Sequence, residues 1–325
     1  PAGVEINIGI ANGGSVSSAD VFANFPLTLT RNETYAVVAD GIVTTGSYNP
    51  SPAFGLEIFA GARETSTDPT RADVLIHHGS TDAPTVDIFE TLIGVGLIAN
   101  DLSYTDFRNA YLELPDLNYA IEVRDETGTA TVAAYDLPIA DLGIAGLGVT
   151  AVASGFLDPS VNLNGPDFGI WVALPSGGAL VELPSSTARV QVIHNSADAA
   201  AAEVDVYIDG ELALDNFAFR TATPFIDLNA GVTTEIAIAP AESEDVNDAI
   251  ATFPVALAVD QTYVVVADGI VSPSGYDPAP AFGLEVYDMG REAATDPANV
   301  DVLVHHGSTD APTVDIVEVG VGAGT

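Results

Sequence analysis

Two stretches of this chain are nearly the same text 228 residues apart, and that repeat constrains the fold more than any other feature. YAVVADGIV at 35–43 returns as YVVVADGIV at 263–271, and PAFGLEI at 52–58 returns as PAFGLEV at 280–286. One ungapped offset carries the match from Ala2 to Ile88, so one structural unit is written out more than once. A diverged half-period lies inside the long one. Asp82 corresponds to Asp198, Phe107-Arg108 to Phe219-Arg220, and GFLDPSVNLNGPDFGIWV (155–172) to GIVSPSGYDPAPAFGLEV (269–286). The unit is therefore a domain of about 115 residues, in two alternating types.

The first type runs over 71–186 and the second over 187–298. Residues 1–70 are then the back part of a second-type domain, and 299–325 the opening of a further first-type domain. Half a sandwich alone leaves sheet edges and apolar faces in water. Two arrangements answer this: the residues are a window onto a longer tandem array, or neighbouring subunits supply the missing strands.

The local pattern is β throughout. RVQVIHN, EVDVYID, TEIAIAP, TYVVVADGIV and FGLEVYD alternate or run apolar with β-branched and aromatic residues, punctuated by Gly, Pro, Asp and Asn. ADLGIAGLG (140–148) and ESEDVNDAI (242–250) come nearest to helical periodicity and are expected to form loops or single turns. Seven or so short strands per domain is the count of an immunoglobulin-like antiparallel β-sandwich. The expected fold is all-β: tandem immunoglobulin-like sandwiches of two alternating types with a 228-residue period. Linkers as short as TDPTRAD (67–73) and TDPANVD (295–301) predict a semi-rigid rod with end-to-end domain contacts.

The chain carries 46 acidic against 8 basic residues, a formal net charge of −38, and no lysine. Such a surface repels nucleic acid and anionic lipid and stays soluble in high salt. No cysteine is present, which excludes disulfides and thiolate metal sites. No apolar run approaches the roughly 20 residues that cross a bilayer, so membrane insertion is not expected.

All five histidines sit in the repeat opening, VLIHHGSTDAPTVDI at 74–88, VIHNSADAAAAEVDV at 192–206 and VLVHHGSTDAPTVDI at 302–316. His, Ser and Asp this close are the raw material of a hydrolase or a metal site. Adjacent strand residues point to opposite faces, however, so His77 and His78 do not converge on one ion. Ile193 replaces His77 in the second type, as expected at a packing position. His78, His194 and His306 are assigned structural roles near the first corner, leaving His77 and His305 as the place for a contact unique to one half of the repeat. Asp82, Asp198 and Asp310, with Ser80, Ser196 and Ser308, read as backbone-bonding turn residues; no G-x-S-x-G elbow surrounds the serines. Arg108 and Arg220 are expected to tie carboxylates or carbonyls together, with Asp82, Asp198, Asp87 or Asp205 as partners. No catalytic residues are assigned. No cofactor is assigned either, calcium being the one candidate, through Glu242, Glu244, Asp245, Asn247 and Asp248. Tyr48, Tyr276, Phe156 and Trp171 are candidates for a sugar-stacking platform.

The order [V/I]-x-[V/I]-H-x-S-x-D-A, VDVYIDG, DNFAFRTATPFIDLNAG and TYVVVADG resembles the secreted bacterial and archaeal family called domain of unknown function 4397, closely over 187–271 and more loosely over 72–156. The alternating, lysine-poor version is similar to repeats in large surface proteins of marine gliding Bacteroidota exported by type IX secretion, some of which build filaments or grappling hooks. That resemblance implies a setting and no active site. The resulting expectation is a non-enzymatic, extracellular, cell-surface structural or adhesive repeat protein, forming the shaft or surface of a multi-chain filament or hook. Its expected partners are copies of itself, with surfaces of other cells or glycans in addition. A glycan- or calcium-binding adhesin module that uses its repeats for avidity is the alternative.

Overall fold

The computed structural model describes residues 2–44, 46–317 and 319–320. The chain divides into two compact units, Pro1–Ser185 and Ser186–Thr325.

In the first unit, β1 (Glu5–Ala11) pairs antiparallel with β2 (Val21–Thr28), and β3 (Tyr35–Asp40) with β4 (Gly55–Ala60). A complete sandwich follows. Its strands are β5 (Arg71–His78), β6 (Val86–Glu90), β7 (Gly96–Leu102), β8 (Leu112–Pro115), β9 (Asn118–Asp125), β10 (Thr131–Pro138), β11 (Gly148–Ser154), β12 (Gly169–Ala173) and the short β13 (Val181–Glu182). One sheet is ordered β10-β9-β6-β7 and the other β13-β12-β11-β5-β8. The inward residues of both, among them Val74, Ile76, Ile88, Ile121, Val149 and Val172, share one core. The stretch expected to make a single turn does so as α1 (Ile139–Leu142), closed by Gly143 at φ 64°.

The second unit repeats the plan with β14 (Thr187–His194), β15 (Glu203–Ile208), β16 (Glu211–Ala218), β17 (Ile226–Asn229), β18 (Thr233–Pro240), β19 (Ala251–Ala256), β20 (Thr262–Asp268) and β21 (Gly283–Tyr287). Its sheets are β16-β15-β18-β19 and β17-β14-β20-β21, around Val190, Val204, Val206, Ile236, Ile238 and Val265. Apart from the additional edge strand β13, both sandwiches share one strand order. Numbering eight strands within a domain, the sheets run 3-2-5-6 and 4-1-7-8, with the first strand parallel to the seventh. The immunoglobulin order places strands one, two, four and five in one sheet, all antiparallel. This fold differs by an eighth strand and by the parallel central pair. Alternation of apolar residues marks a strand and its buried face but not its neighbour, which is why the order was not readable beforehand.

The four strands β1–β4 are the counterparts of β18–β21, so residues 5–60 hold the closing half of a second-type domain. Residues 299–306, the counterpart of β5, are not in a strand. β5 is held as a strand by β11 and β8, which pair with it on either side.

β5 is buried on both faces. Ala72, Val74 and Ile76 point into the sandwich core, while Asp73, Leu75 and His77 point outward and are just as fully buried. The cover comes from the closing half and the segment after it, through Asp40, Arg63 and Glu64. Gly148 lacks a side chain where Arg63 passes; a Cβ there would meet the Arg63 carbonyl oxygen at 2.4 Å. Within this unit the closing half and the first-type domain thus pack side against side. The expected end-to-end contact gives way because the ties run along the length of β5, from Arg63 on Asp73 at its start to Asp40 on His77 near its end.

Candidate functional site

The repeat opening builds a clasp between the first and seventh strands. β5 ends at His78, and the chain turns through Ser80 and Asp82. Ser80 Oγ donates to the Gly155 carbonyl (2.7 Å), while Asp82 accepts from the Leu157 and Asp158 amides (2.9 and 3.0 Å) and from Asn162 Nδ2 (3.1 Å). The second type repeats this in register. Ser196 Oγ donates to Gly269 O (2.7 Å), and Asp198 accepts from Val271 N (2.9 Å) and Ser272 N (2.6 Å). Asp198 also accepts from Ser272 Oγ, Tyr276 OH and Ala200 N. Burial alone would raise its pKa; donation from Ala200, Ser272 and Tyr276 outweighs that and brings the carboxyl down to about 2.

Glycine is required where the clasp closes. Gly155 and Gly269 have φ of 88° and 91°, and a Cβ on either would lie 2.0 Å from Asp167 O or 2.3 Å from Ala281 O. Gly41 stands at the same place in the closing half, with Ala53 O at 2.4 Å.

The shared histidine spans the corner. Nε2 of His78 lies 3.0 Å from Pro84 O, that of His194 2.7 Å from Ala201 O, and that of His306 3.1 Å from Pro312 O. A carbonyl only accepts, so Nε2 carries the proton in each. Burial lowers the pKa of His78 and His194 and holds them neutral, with Nδ1 buried and without a hydrogen-bond partner. A ring so placed neither exchanges protons with a substrate nor lends a lone pair to an accessible ion. Ser308 Oγ and Asp310 Oδ1 bond each other at 3.2 Å.

His77 and His305 form a second feature, a joint to the preceding second-type strands. His77 Nε2 lies 2.7 Å from Asp40 Oδ2, at the end of β3. His305 Nε2 bonds Asp268 Oδ2 at the matching end of β20. Asn195 Nδ2 holds the other Asp268 oxygen at 2.9 Å. A second tie lies at the other end of the strand, where Arg63 pairs with Asp73 (2.6 Å) and Thr67 N donates to the same carboxylate (2.9 Å). Arg291, Thr295 and Asp301 repeat it. Phe107 packs on His77 at 4.2 Å between ring centroids and on Phe59 at 5.5 Å, while Arg63 lies over Tyr111 at 4.7 Å. Tyr287 OH is 2.8 Å from His305 Nδ1; Phe59, its counterpart, offers no hydroxyl, and His77 Nδ1 has no partner.

Several expected contacts are not made. Arg108 donates to the carbonyls of Ile98 (2.8 Å) and Ala110, and Arg220 lies over the Phe219 ring at 4.8 Å; neither reaches Asp82, Asp87, Asp198 or Asp205. Backbone amides already fill those carboxylates. Asp87 and Asp205 accept from Asp101 N and Asn216 N, each at 2.8 Å and each in a left-handed residue, so the repeated V-D-[IV] motif pins a bulge. The two Phe-Arg pairs are not equivalent either. Phe107 bridges His77 while Ala222 bridges Ile193, and Thr105, at φ 74°, takes the place of Arg220, at φ 64°.

Asp245 and Asp248 accept from the amides of Asn247 (2.8 Å) and Glu244 (2.9 Å), shaping a short turn. Among the described residues no three His, Asp or Glu side chains converge as a metal-binding set. Tyr48 stacks on Phe156 at 5.7 Å, so these two rings are engaged with each other, and Tyr276 donates its hydroxyl to Asp198. Trp171 lies within β12, opposite Val152.

No curated protein matches the sequence. Among solved structures, a candidate cell adhesion protein from Bacteroides uniformis ATCC 8492 aligns at 12% identity over 69% of this chain and 100% of its own, with a TM-score of 0.18. The pilus adhesin SpaC of Lactobacillus rhamnosus GG aligns at 10% identity over 78% of this chain and 41% of its own, also at 0.18. A candidate cell adhesion protein from Bacteroides ovatus ATCC 8483 gives 11% identity over 69% and 99%, at 0.17. Residues 185–317, which contain the whole second-type sandwich, match the family described as domain of unknown function (DUF4397).

Proposed function

We propose that this chain is a non-enzymatic, extracellular structural or adhesive repeat protein, the shaft or surface of a multi-chain cell-surface filament or hook. The observation that carries the reading is the recurrence of one joint. Asp40 with His77 and Arg63 with Asp73 are matched, 228 residues on, by Asp268 with His305 and Arg291 with Asp301. Weak ties multiplied along an array stiffen it cumulatively. Scarce residues serve this architecture: His77 and Arg63 with their counterparts His305 and Arg291 hold the joint, and His78 and His194 hold corners. The cavities inside the two sandwiches, about 50 and 40 Å³ and lined almost wholly by apolar side chains, are too small for a substrate. A net charge of −38 suits a surface that meets high salt.

Immunogold electron microscopy of intact cells bearing the native protein tests this reading. Label along surface filaments is the expected result; label confined to the cell interior contradicts it. Melting with and without a chelator addresses the calcium-binding alternative, for which a large chelator-induced drop is required; none is expected here.

A further inference from the structure

Two asparagines in the chain are followed by glycine, Asn12 before Gly13 and Asn164 before Gly165. In such a pair no Cβ shields the glycine nitrogen, which can reach the asparagine side-chain carbon and close a ring on it. Closure needs an N–H free of other partners and two residues free to turn. Both asparagine side chains are exposed, so the difference between the sites lies in the backbone. Asn164–Gly165 is locked. Gly165 N donates to Asn162 O (3.1 Å) and Asn164 N to Pro159 O (2.8 Å), and a Cβ on Gly165 would lie 2.7 Å from the Phe156 ring. Asn162 is itself buried and holds Asp82 and the Asp158 carbonyl through Nδ2.

Asn12–Gly13 is open. After β1 the chain turns with Ser15 N donating to Asn12 O (3.1 Å) and Gly14 at φ 83°. Gly13 N has no hydrogen-bond partner among the described residues, and a Cβ on Gly13 would meet nothing within 4 Å. The same corner of the complete second-type domain is as open: Pro240, the counterpart of Asn12, is exposed, and Ala241 N has no partner among the described residues. The freedom of Asn12 is therefore a property of this corner of the sandwich.

We infer that Asn12 is a site of spontaneous modification, converting to aspartate and isoaspartate in the folded chain while Asn164 is preserved. Gly13 N, its proton taken by solvent base, attacks Asn12 Cγ. The new C–N bond closes a succinimide, and the side-chain nitrogen leaves as ammonia with a proton from solvent. Water then opens the ring. Opening at Cγ gives aspartate, and opening at the backbone carbonyl gives isoaspartate, in which the main chain runs through Cβ and Cγ. Either product adds a negative charge, and isoaspartate also takes the carbonyl that accepts from Ser15 N out of the main chain. The chemistry is independent of the filament reading; a surface protein that is not renewed accumulates the change.

The test keeps the purified full chain warm at mildly alkaline pH in heavy-oxygen water, samples it over weeks, and digests it with trypsin. Cleavage at Arg31, Arg124 and Arg189 leaves the two sites on separate peptides for mass spectrometry. In the folded chain Asn12 is expected to convert about tenfold faster than Asn164 or more, with heavy oxygen in the product, and the two rates are expected to converge in urea, where no local opening is needed. Gly13→Ala, whose Cβ enters open space, is expected to slow Asn12 about tenfold with the urea midpoint unchanged. The inference is overturned if Asn12 stays intact over the time in which the urea-unfolded chain converts, if Asn164 keeps pace with it in the folded chain, or if Gly13→Ala leaves its rate unchanged.

Discussion

At the scale of the residue, the repeat opening spends its chemistry on its own backbone. His78 and His194 are neutral donors to a carbonyl, and Asp198 is an acceptor surrounded by amides and hydroxyls. The pH dependence has a definite sign. Burial holds both imidazoles below 6.5, so the unfolded chain binds protons that the folded chain does not; stability is complete above 6.5 and declines as pH falls below it. Asp198 adds stability that is complete above 3.8 and lost as pH falls through about 2. Urea midpoints are therefore expected to fall between pH 7 and 5, with a shallower fall in His78→Gln/His194→Gln. Asp198→Ala strips the acceptor from the Val271 and Ser272 amides and is expected to cost the second unit about 3 kcal/mol at pH 7, measured by urea unfolding. The turn role of Ser and Asp was legible because H-x-S-x-D recurs in three places. Their partners were not legible, since Gly155 and Gly269 are more than 70 residues away.

At the scale of the element, strands were readable and their neighbours were not. V-x-V and V-D-V alternation marks β14 and β15 clearly, but nothing in RVQVIH says that its parallel partner is YVVVAD. The Phe-Arg similarity misled for a related reason. Side-chain likeness aligned Arg108 with Arg220, whereas the hydrogen bonds of the first strand align Arg108 with Thr223. Backbone geometry at the clasp is less forgiving. Gly155→Ala places a methyl group 2.0 Å from a carbonyl oxygen at a φ that disfavours it; a loss of more than about 2 kcal/mol is expected from thermal or urea unfolding. The same change at Gly94, also at positive φ but with open space around it, is expected to cost about 1 kcal/mol.

At the scale of the whole molecule, the two domain types differ where the joint needs them to. Ile193 stands where His77 stands in the other type, and Ser154 where Asp40 and Asp268 stand, so donor and acceptor are assigned one to each type. The alternation, legible as a 228-residue period, is thereby given a physical meaning: a second-type domain presents the aspartate and the first-type domain after it presents the histidine. What hid this beforehand is that the partners, 37 residues apart, lie in different domains. The most direct test is a double-mutant cycle of His77→Ile and Asp40→Ser in the full chain, read by hydrogen exchange of the β3 and β4 amides. Either change is expected to lower protection there about 30-fold or more, near 2 kcal/mol, with the double mutant no worse than the poorer single. Effects that simply add, or β3 amides whose protection is unchanged, would contradict this coupling.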